Sequence, residues 1–115
     1  LDTALRETFE EMGIKKEYIT VLGSIDDTQT KTGYMIRPFV GIIDYPYSYT
    51  LSKYEVEEVL EMPLFGLFRS EYQRDEIQLL QKNEVKSPVY VFDGNVVFGA
   101  TARILENLAD IIAST

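Results

Sequence analysis

The chain has 115 residues, of which 45% are hydrophobic, and this is enough for one domain with a sizeable core. Its formal net charge of −8 makes nucleic acids and anionic membrane surfaces poor partners. The sequence contains no cysteine and no histidine, which excludes disulfides, thiolate zinc sites and histidine-activated nucleophiles. Catalysis would therefore use carboxylates, hydroxyls, Lys, Arg or a metal ion, and we expect a soluble cytoplasmic protein without a membrane span.

The chain opens with a predicted amphipathic helix, followed by a strand. Residues 1–12 repeat apolar side chains with helical period and no capping residue precedes them, so we expect the chain to begin inside a helix. Gly13 is a natural left-handed stop for this helix. Residues 18–25 alternate loosely between apolar and polar side chains and predict a strand, whereas residues 26–33 predict a turn and a loop.

The middle of the chain predicts two strands and a short helix. Residues 34–45 are rich in β-branched and aromatic side chains and predict one long strand, in which Pro38 and Gly41 indicate a bulge or an edge position. Residues 56–62 predict a short strand, and residues 63–68 predict a helix because proline fits its first turn. An aromatic loop between these strands contains Tyr45, Tyr47 and Tyr49.

The last part of the chain predicts a loop, a hairpin and a terminal helix. Residues 70–86 are mostly polar and charged, and we expect a mobile loop there. Residues 88–98 predict a hairpin because Asp93-Gly94 supplies the positive φ values of a tight turn. Residues 100–113 predict a helix whose core-facing stripe consists of Ile104, Leu105, Leu108, Ile111 and Ile112. Strands with helices at both ends indicate one α+β domain over residues 1–115.

The first helix gathers carboxylates on one side. At 100° per residue, Glu7, Glu10 and Glu11 lie opposite an apolar face made of Leu1, Leu5, Thr8, Phe9 and Met12. Mutual repulsion and the negative end of the helix dipole each cost on the order of a few tenths of a kcal/mol. A divalent cation would remove both penalties, and magnesium or manganese binds carboxylate, water and phosphate oxygens. A solvated acidic face is the alternative interpretation.

One stretch of this helix resembles the second half of the Nudix box. The stretch reads Arg6-Glu7-Thr8-Phe9-Glu10-Glu11-Met12-Gly13-Ile14, and the box pattern is Arg-Glu, an often apolar residue, any residue, Glu-Glu, any residue, Gly and an apolar residue. Thr8 is a mild departure at the usually aliphatic position. The resemblance implies a Nudix-type mixed β-sheet with flanking helices, an α/β/α sandwich, which is here N-terminally truncated.

The resemblance also implies roles for four side chains. Nudix hydrolases cleave a nucleoside diphosphate that is linked to another group. By this resemblance, Glu7, Glu10 and Glu11 bind Mg²⁺ or Mn²⁺; Glu7 and Glu11 rank first, and Glu10 acts directly or through water. At the Arg6 position, the arginine of the box usually orients the box by pairing with a glutamate of its first half. The resemblance therefore implies four catalytic residues: Arg6, Glu7, Glu10 and Glu11.

The rest of the chain is similar to the coenzyme A diphosphatase branch of this family. The similar segments are Asp2-Thr3-Ala4-Leu5, Thr32-Gly33, Pro38-Phe39-Val40-Gly41, Glu55-Val56, Pro63-Leu64 and Phe98-Gly99-Ala100-Thr101-Ala102. The branch implies hydrolysis of coenzyme A or its thioesters to 3′,5′-adenosine diphosphate and a phosphopantetheine product. Taken singly, Pro38-Phe39-Val40-Gly41 is equally typical of a strand bulge, and Gly99-Ala100-Thr101-Ala102 is equally typical of a tight helix start.

Two further features have a functional and a structural interpretation. The three loop tyrosines could stack an adenine, but such side chains more often pack a ring and leave the hydroxyl in water. Glu71, Asp75 and Glu76 lie where some Nudix enzymes place a base, although acids in a loop are usually only solvated.

The expected partner is a small-molecule, coenzyme A-like nucleotide; nucleic acid and membrane are not expected, and a homodimer is compatible with the sequence. A second hypothesis is a Nudix diphosphatase for ADP-ribose or a dinucleotide. A third is a non-catalytic Nudix fragment that binds nucleotide or protein. Because strands before the box normally complete the sheet, we expect residues 1–115 alone to be inactive or to aggregate.

Overall fold

The computed structural model of the protein describes residues 1–30, 32–54, 56, 59–68, 72–80 and 83–115, with the backbone alone for 75–80 and 83–86. Contacts divide the chain into two units. The first unit comprises residues 1–24 and 39–61, and the second comprises residues 25–38 and 62–115. Each unit is built from two separate stretches of the chain.

Helices occur near both ends of the chain and short strands lie between them. In chain order the elements are α1 (Asp2–Met12), a 3-10 helix (Lys16–Tyr18), β1 (Thr20–Ser24), β2 (Thr28–Gln29), β3 (Met35–Ile36), β4 (Phe39–Ile42), a second 3-10 helix (Leu64–Phe68), β5 (Gln73–Leu80), β6 (Asn83–Phe92), β7 (Asn95–Val97) and α2 (Gly99–Ala113). This mixture of helices and antiparallel sheets confirms the predicted α+β class.

The first unit contains α1 and the antiparallel pair β1–β4. Gly13 ends α1 as predicted: its φ is 73°, in the left-handed region, and its N–H donates to the carbonyl of Phe9 at 2.8 Å. The register of the strand pair shifts between Val21 and Gly23, so the bulge lies on β1 and not at Gly41 of β4. Apolar side chains of α1 and of both strands line an open cavity of about 210 Å³.

Two strand predictions for the middle of the chain are wrong. The long strand over 34–45 is two short strands, β3 and β4, because Pro38 has no N–H for a ladder and its carbonyl instead accepts from the N–H of Ile25 at 3.0 Å. The short strand predicted over 56–62 is also wrong, because its described residues, Val56 and 59–62, form no strand. The N–H of Val56 donates to the carbonyl of Ser52 at 3.0 Å, so a local turn uses the donor that a ladder would need.

The second unit contains the pair β2–β3, the sheet β5-β6-β7 and helix α2. Its core consists of Leu67, Tyr90, Ala102 and Ala109, and Ala102 is fully buried. Leu105 and Leu108 of the predicted stripe pack against this core, whereas Ile111 is 39% exposed. The terminal helix is therefore confirmed, but two alanines that are two turns apart form its most buried positions. The Asp93-Gly94 turn and the helical segment after Pro63 are also confirmed.

The loop predicted over 70–86 is wrong for most of its described residues. Strand β5 pairs with β6 in an unbroken antiparallel register from Gln73 opposite Tyr90 to Leu80 opposite Asn83. Likewise the loop predicted over 26–33 contains β2. Backbone hydrogen bonds stabilise a ladder whatever its side chains are, so a polar sequence does not exclude a strand.

Asn107 of α2 provides a test of the packing within the second unit. Its side-chain oxygen accepts from the N–H of Asp26 at 3.1 Å, and its side-chain nitrogen donates to the Asp26 carboxylate at 3.3 Å. We expect Asn107→Ala to lower the free energy of unfolding by about 1 kcal/mol, measured by urea denaturation. Glu106→Ala, at an exposed neighbouring position, is the control; equal losses in both variants would contradict this assignment.

Within the described residues, no helix combines the length and the apolar character needed to cross a membrane.

Candidate active site

All four predicted site residues lie on α1. Glu7 and Glu10 are exposed and Glu11 is half-buried. Glu7 and Glu11 are four residues apart, so they lie one above the other on the same face of the helix. Glu10 is displaced around the helix from that line.

Glu10 has a partner of its own. The Nε atom of Arg6 lies 3.8 Å from an Oε atom of Glu10, one turn along the helix, and both side chains are more than half exposed. A long and exposed pair of this kind contributes at most about 1 kcal/mol. The pair nevertheless gives Arg6 a glutamate partner within α1 itself. The box pattern predicts a different partner, a glutamate from the first half of the box.

Glu7 and Glu11 have carboxylates that no described residue engages in a hydrogen bond or an ion pair. Among the described residues, no group of three acidic side chains lies close enough together to hold a metal ion. Magnesium is commonly bound by only one or two carboxylates together with water and substrate phosphates. Two carboxylates one turn apart are ligands of the type that such an ion takes, and metal binding by Glu7, Glu10 and Glu11 stays a prediction.

The C-terminal end of α1 is held by a segment from later in the chain, residues 47–52. The N–H of Thr50 donates to the carbonyl of Met12 at 2.9 Å, and the N–H of Ser52 donates to the carbonyl of Glu11 at 2.8 Å. The last carbonyls of a helix have no partner within the helix. These two bonds satisfy two of them and place positive N–H dipoles beside a helix end that carries two glutamates and no basic residue.

Gly13 is required by this arrangement for two reasons. Its φ of 73° is costly for any residue with a side chain. A Cβ atom on Gly13 would also lie 2.8 Å from the Cβ of Thr50 and 3.0 Å from its nitrogen. The glycine of the box pattern thus permits both the end of the helix and the close approach of the 47–52 segment.

Tyr47 contributes a second link between the segment and the helix end. Its hydroxyl lies 3.4 Å from the carbonyl of Gly13, to which it donates, and 3.4 Å from the nitrogen of Lys15, from which it accepts. Its ring lies edge-on to Tyr18 and tilted against Tyr49, with centroids 6.4 Å and 5.8 Å away. These contacts match the packing interpretation of Tyr47 and Tyr49, and adenine stacking stays a prediction.

Tyr45 differs from the other loop tyrosines. It is 75% exposed, and its hydroxyl donates to the carboxylate of Glu61 at 2.9 Å. This hydrogen bond raises the pKa of Tyr45 above its ordinary value because it stabilises the protonated hydroxyl. Within the described residues, no hydrogen bond or ring contact links Tyr45 to the α1 end, so it can serve as a control for Tyr47.

The departure from the box pattern at Thr8 is accommodated locally. The hydroxyl of Thr8 donates to the carbonyl of Ala4 at 2.7 Å, one turn back along the helix. The polar atom is thus satisfied within α1, and the methyl group is left for the apolar side.

The predicted base candidates are only partly described. Glu71, like Glu55 of the similar segments, lies outside the described residues. The backbones of Asp75 and Glu76 lie in β5, opposite Pro88 and Ser87. Their role as a base stays a prediction.

A depression of about 500 Å³ also borders α1, and its lining includes Arg6, Phe9, Lys15 and Lys16. At 100° per residue, Phe9 lies about 160° around the helix from both Glu7 and Glu11, which is nearly half a turn. The depression is thus not an extension of the carboxylate face.

Comparison with known proteins finds relatives of the chain. No family model matches the chain. A protein named "Uncharacterized Nudix hydrolase NudL" from Pectobacterium atrosepticum is 33% identical over 114 residues, which is 95% of this chain and 57% of the relative. Proteins of the same name from Enterobacter sp. and Klebsiella pneumoniae are each 35% identical over 107 residues, covering 92% of this chain and 55% of the relative.

Identity of 33–35% to these relatives over more than 90% of the chain supports its membership of the Nudix hydrolase family. The chain spans a little more than half the length of the NudL proteins that it matches.

Proposed function

We propose that this chain is part of a Nudix diphosphatase that hydrolyses coenzyme A or its acyl thioesters with the help of Mg²⁺ or Mn²⁺. The observation that carries the proposal is the box sequence on α1. Its Glu7 and Glu11 lie on one face without a partner among the described residues, and its end at Gly13 has room only for glycine. The products would be 3′,5′-adenosine diphosphate and phosphopantetheine or its acyl derivative.

Each α1 side chain has a role in this proposal. Glu7 and Glu11 would hold the metal, and Glu10 would assist directly or through water while Arg6 keeps it oriented. The metal, when bound, supplies a Lewis acid for phosphoryl oxygens and makes water more acidic. In the overall reaction a water oxygen adds to one phosphorus, the bridging P–O bond breaks, and the water's protons pass to the products and solvent.

The choice of coenzyme A is supported by the segments shared with that branch of the family. The names of the relatives specify no substrate. ADP-ribose and dinucleotides are the second hypothesis, and a Nudix fragment that only binds nucleotide or protein is the third. A net charge of −8 favours a small nucleotide over nucleic acid as the partner.

A substrate panel tests the proposal on the full-length protein. Coenzyme A, dephospho-coenzyme A, ADP-ribose, a dinucleotide and a nucleoside triphosphate are compared with Mg²⁺, with Mn²⁺ and with chelator, and the products are separated by chromatography. We expect coenzyme A to give the highest kcat/KM, only in the presence of metal, and to exceed dephospho-coenzyme A by about tenfold because the 3′-phosphate adds one charged contact.

Other outcomes distinguish the alternatives. Equal cleavage of coenzyme A and dephospho-coenzyme A, or faster cleavage of ADP-ribose, moves the assignment to the second hypothesis. Binding of nucleotide without any product, in protein that has bound metal, favours the third. In heavy-oxygen water, the label should appear in one of the two phosphate products of each turnover.

A further inference from the structure

The end of α1 depends on residues that lie far from it in the sequence. Thr50 and Ser52 bond to two consecutive carbonyls, those of Met12 and Glu11, at 2.9 Å and 2.8 Å. All of these residues belong to the first unit. The backbone that carries Glu11 is therefore fixed by the 47–52 segment and not by the helix alone.

Such fixing matters more here than at an ordinary helix end. Helix ends fray because their last carbonyls lack partners, and this one carries adjacent glutamates with no basic residue in the last turn. Glu11 can share a cation with Glu7 only while the last turn stays helical, since only helical spacing keeps residues four apart on one face. Loss of the two N–H donors would favour fraying of the turn that carries Glu11.

Tyr47 adds a side-chain contact to the same connection. Its half-buried hydroxyl bridges Gly13 and Lys15, directly after the last turn, and its ring is held between Tyr18 and Tyr49. Backbone donors and a side-chain hydroxyl of one segment thus engage both sides of Gly13.

We infer that the 47–52 segment positions the acidic end of α1 and thereby sets the affinity of the Glu7–Glu11 face for a divalent cation, with Ser52 and Tyr47 as positioning residues. This inference rests on the proposed function, because it concerns the metal site of that function. Groups that orient metal ligands through hydrogen bonds typically affect metal affinity by about 10- to 100-fold.

The experiment measures Mn²⁺ binding to the full-length protein by calorimetry and by the loss of the free-ion electron paramagnetic resonance signal. Ser52→Pro removes the N–H that bonds to Glu11, and Ser52→Ala keeps it. We expect Ser52→Pro to weaken Mn²⁺ binding by about tenfold and Ser52→Ala to leave it unchanged. Thermal unfolding of the metal-free variants is measured in parallel, because a purely structural role would lower the melting temperature without changing the dissociation constant of the folded protein.

Tyr47→Phe is the second variant, and it decides the question if Ser52→Pro does not fold. It deletes only the hydroxyl, and we expect Mn²⁺ binding to be about threefold weaker. This factor corresponds to the lower part of the range of free energies that a single hydrogen bond contributes. Tyr45→Phe, which loses a bond to Glu61, is its control and should bind as the wild type does.

The outcomes separate the inference from the proposal beneath it. If the wild-type protein binds Mn²⁺ and the folded variants among Ser52→Pro and Tyr47→Phe bind it with the same affinity, the inference is wrong. The proposed metal site is then unaffected. Wild-type protein that binds no Mn²⁺ overturns the metal site, and the inference falls with it. Weaker binding that also occurs in Ser52→Ala and Tyr45→Phe contradicts a specific role for the 47–52 segment.

Discussion

Glu11→Gln is expected to reduce turnover by about a hundredfold and to weaken Mn²⁺ binding strongly. The amide keeps the size of the side chain but removes the negative charge that a hard cation requires. A bound metal supplies several kcal/mol of transition-state stabilisation, and each loss of about 1.4 kcal/mol is tenfold in rate. Glu7→Gln should behave in the same way, since Glu7 lies one turn away on the same face. The measurements are kcat/KM on coenzyme A and the rise in melting temperature that Mn²⁺ produces.

Glu17→Gln is the matched control, because Glu17 is an exposed carboxylate in the 3-10 helix that follows α1. We expect its turnover and its response to Mn²⁺ to equal those of the wild type. If Glu7→Gln and Glu11→Gln responded to Mn²⁺ as the wild type does, the acidic face of α1 would be an ordinary solvated surface.

Gly13→Ala is expected to lower the free energy of unfolding by roughly 2–4 kcal/mol, through left-handed backbone strain and through overpacking. Its new Cβ would lie 2.8 Å from the Cβ of Thr50, which is closer than such atoms approach. Either the backbone at Gly13 shifts or the 47–52 segment moves away, and both responses weaken the bonds to Met12 and Glu11. Urea denaturation measures the loss.

Gly94→Ala separates strain from contact. Gly94 has a similar φ of 77°, but a Cβ there would meet nothing within 4 Å, so only the strain of about 1–2 kcal/mol applies. The Gly13 variant should therefore lose more, and adding Thr50→Gly to it should recover part of the difference. Equal losses at the two glycines would show that the approach of Thr50 costs nothing.

Features of the fold that depend on neighbouring residues were predictable. The Asp93-Gly94 turn, the left-handed stop at Gly13 and the terminal helix each follow from a few adjacent side chains. The strand β5 was not predictable, because its pairing with β6 is a property of two backbones and its own sequence is polar. The strand expected at 56–62 failed for the opposite reason, since a local hydrogen bond from Val56 to Ser52 competes with a ladder.

The candidate site was predictable only as far as α1 itself. The box sequence predicts Arg6, Glu7, Glu10 and Glu11 as site residues, and it predicts the helix that ends at Gly13. The contacts of the 47–52 segment join residues that are more than thirty positions apart, and no local pattern encodes them. The sequence does contain one indication of these contacts. Adjacent acids at a helix C-terminus without a basic residue are unfavourable, and N–H donors from another part of the chain would stabilise them.

The division of each unit into two stretches of chain has a consequence for synthesis. A ribosome completes α1 before it has made residues 14–49, and the donors of Thr50 and Ser52 emerge only after them. Until then the nascent helix end has free carbonyls, and its apolar side chains lack strand β4 as a neighbour. Helices as short as α1 are marginal in water by themselves, so the acidic end would acquire its native shape only when residues 50–52 have left the ribosome. A translational pause before that point would lengthen the exposure of this helix to chaperones and proteases.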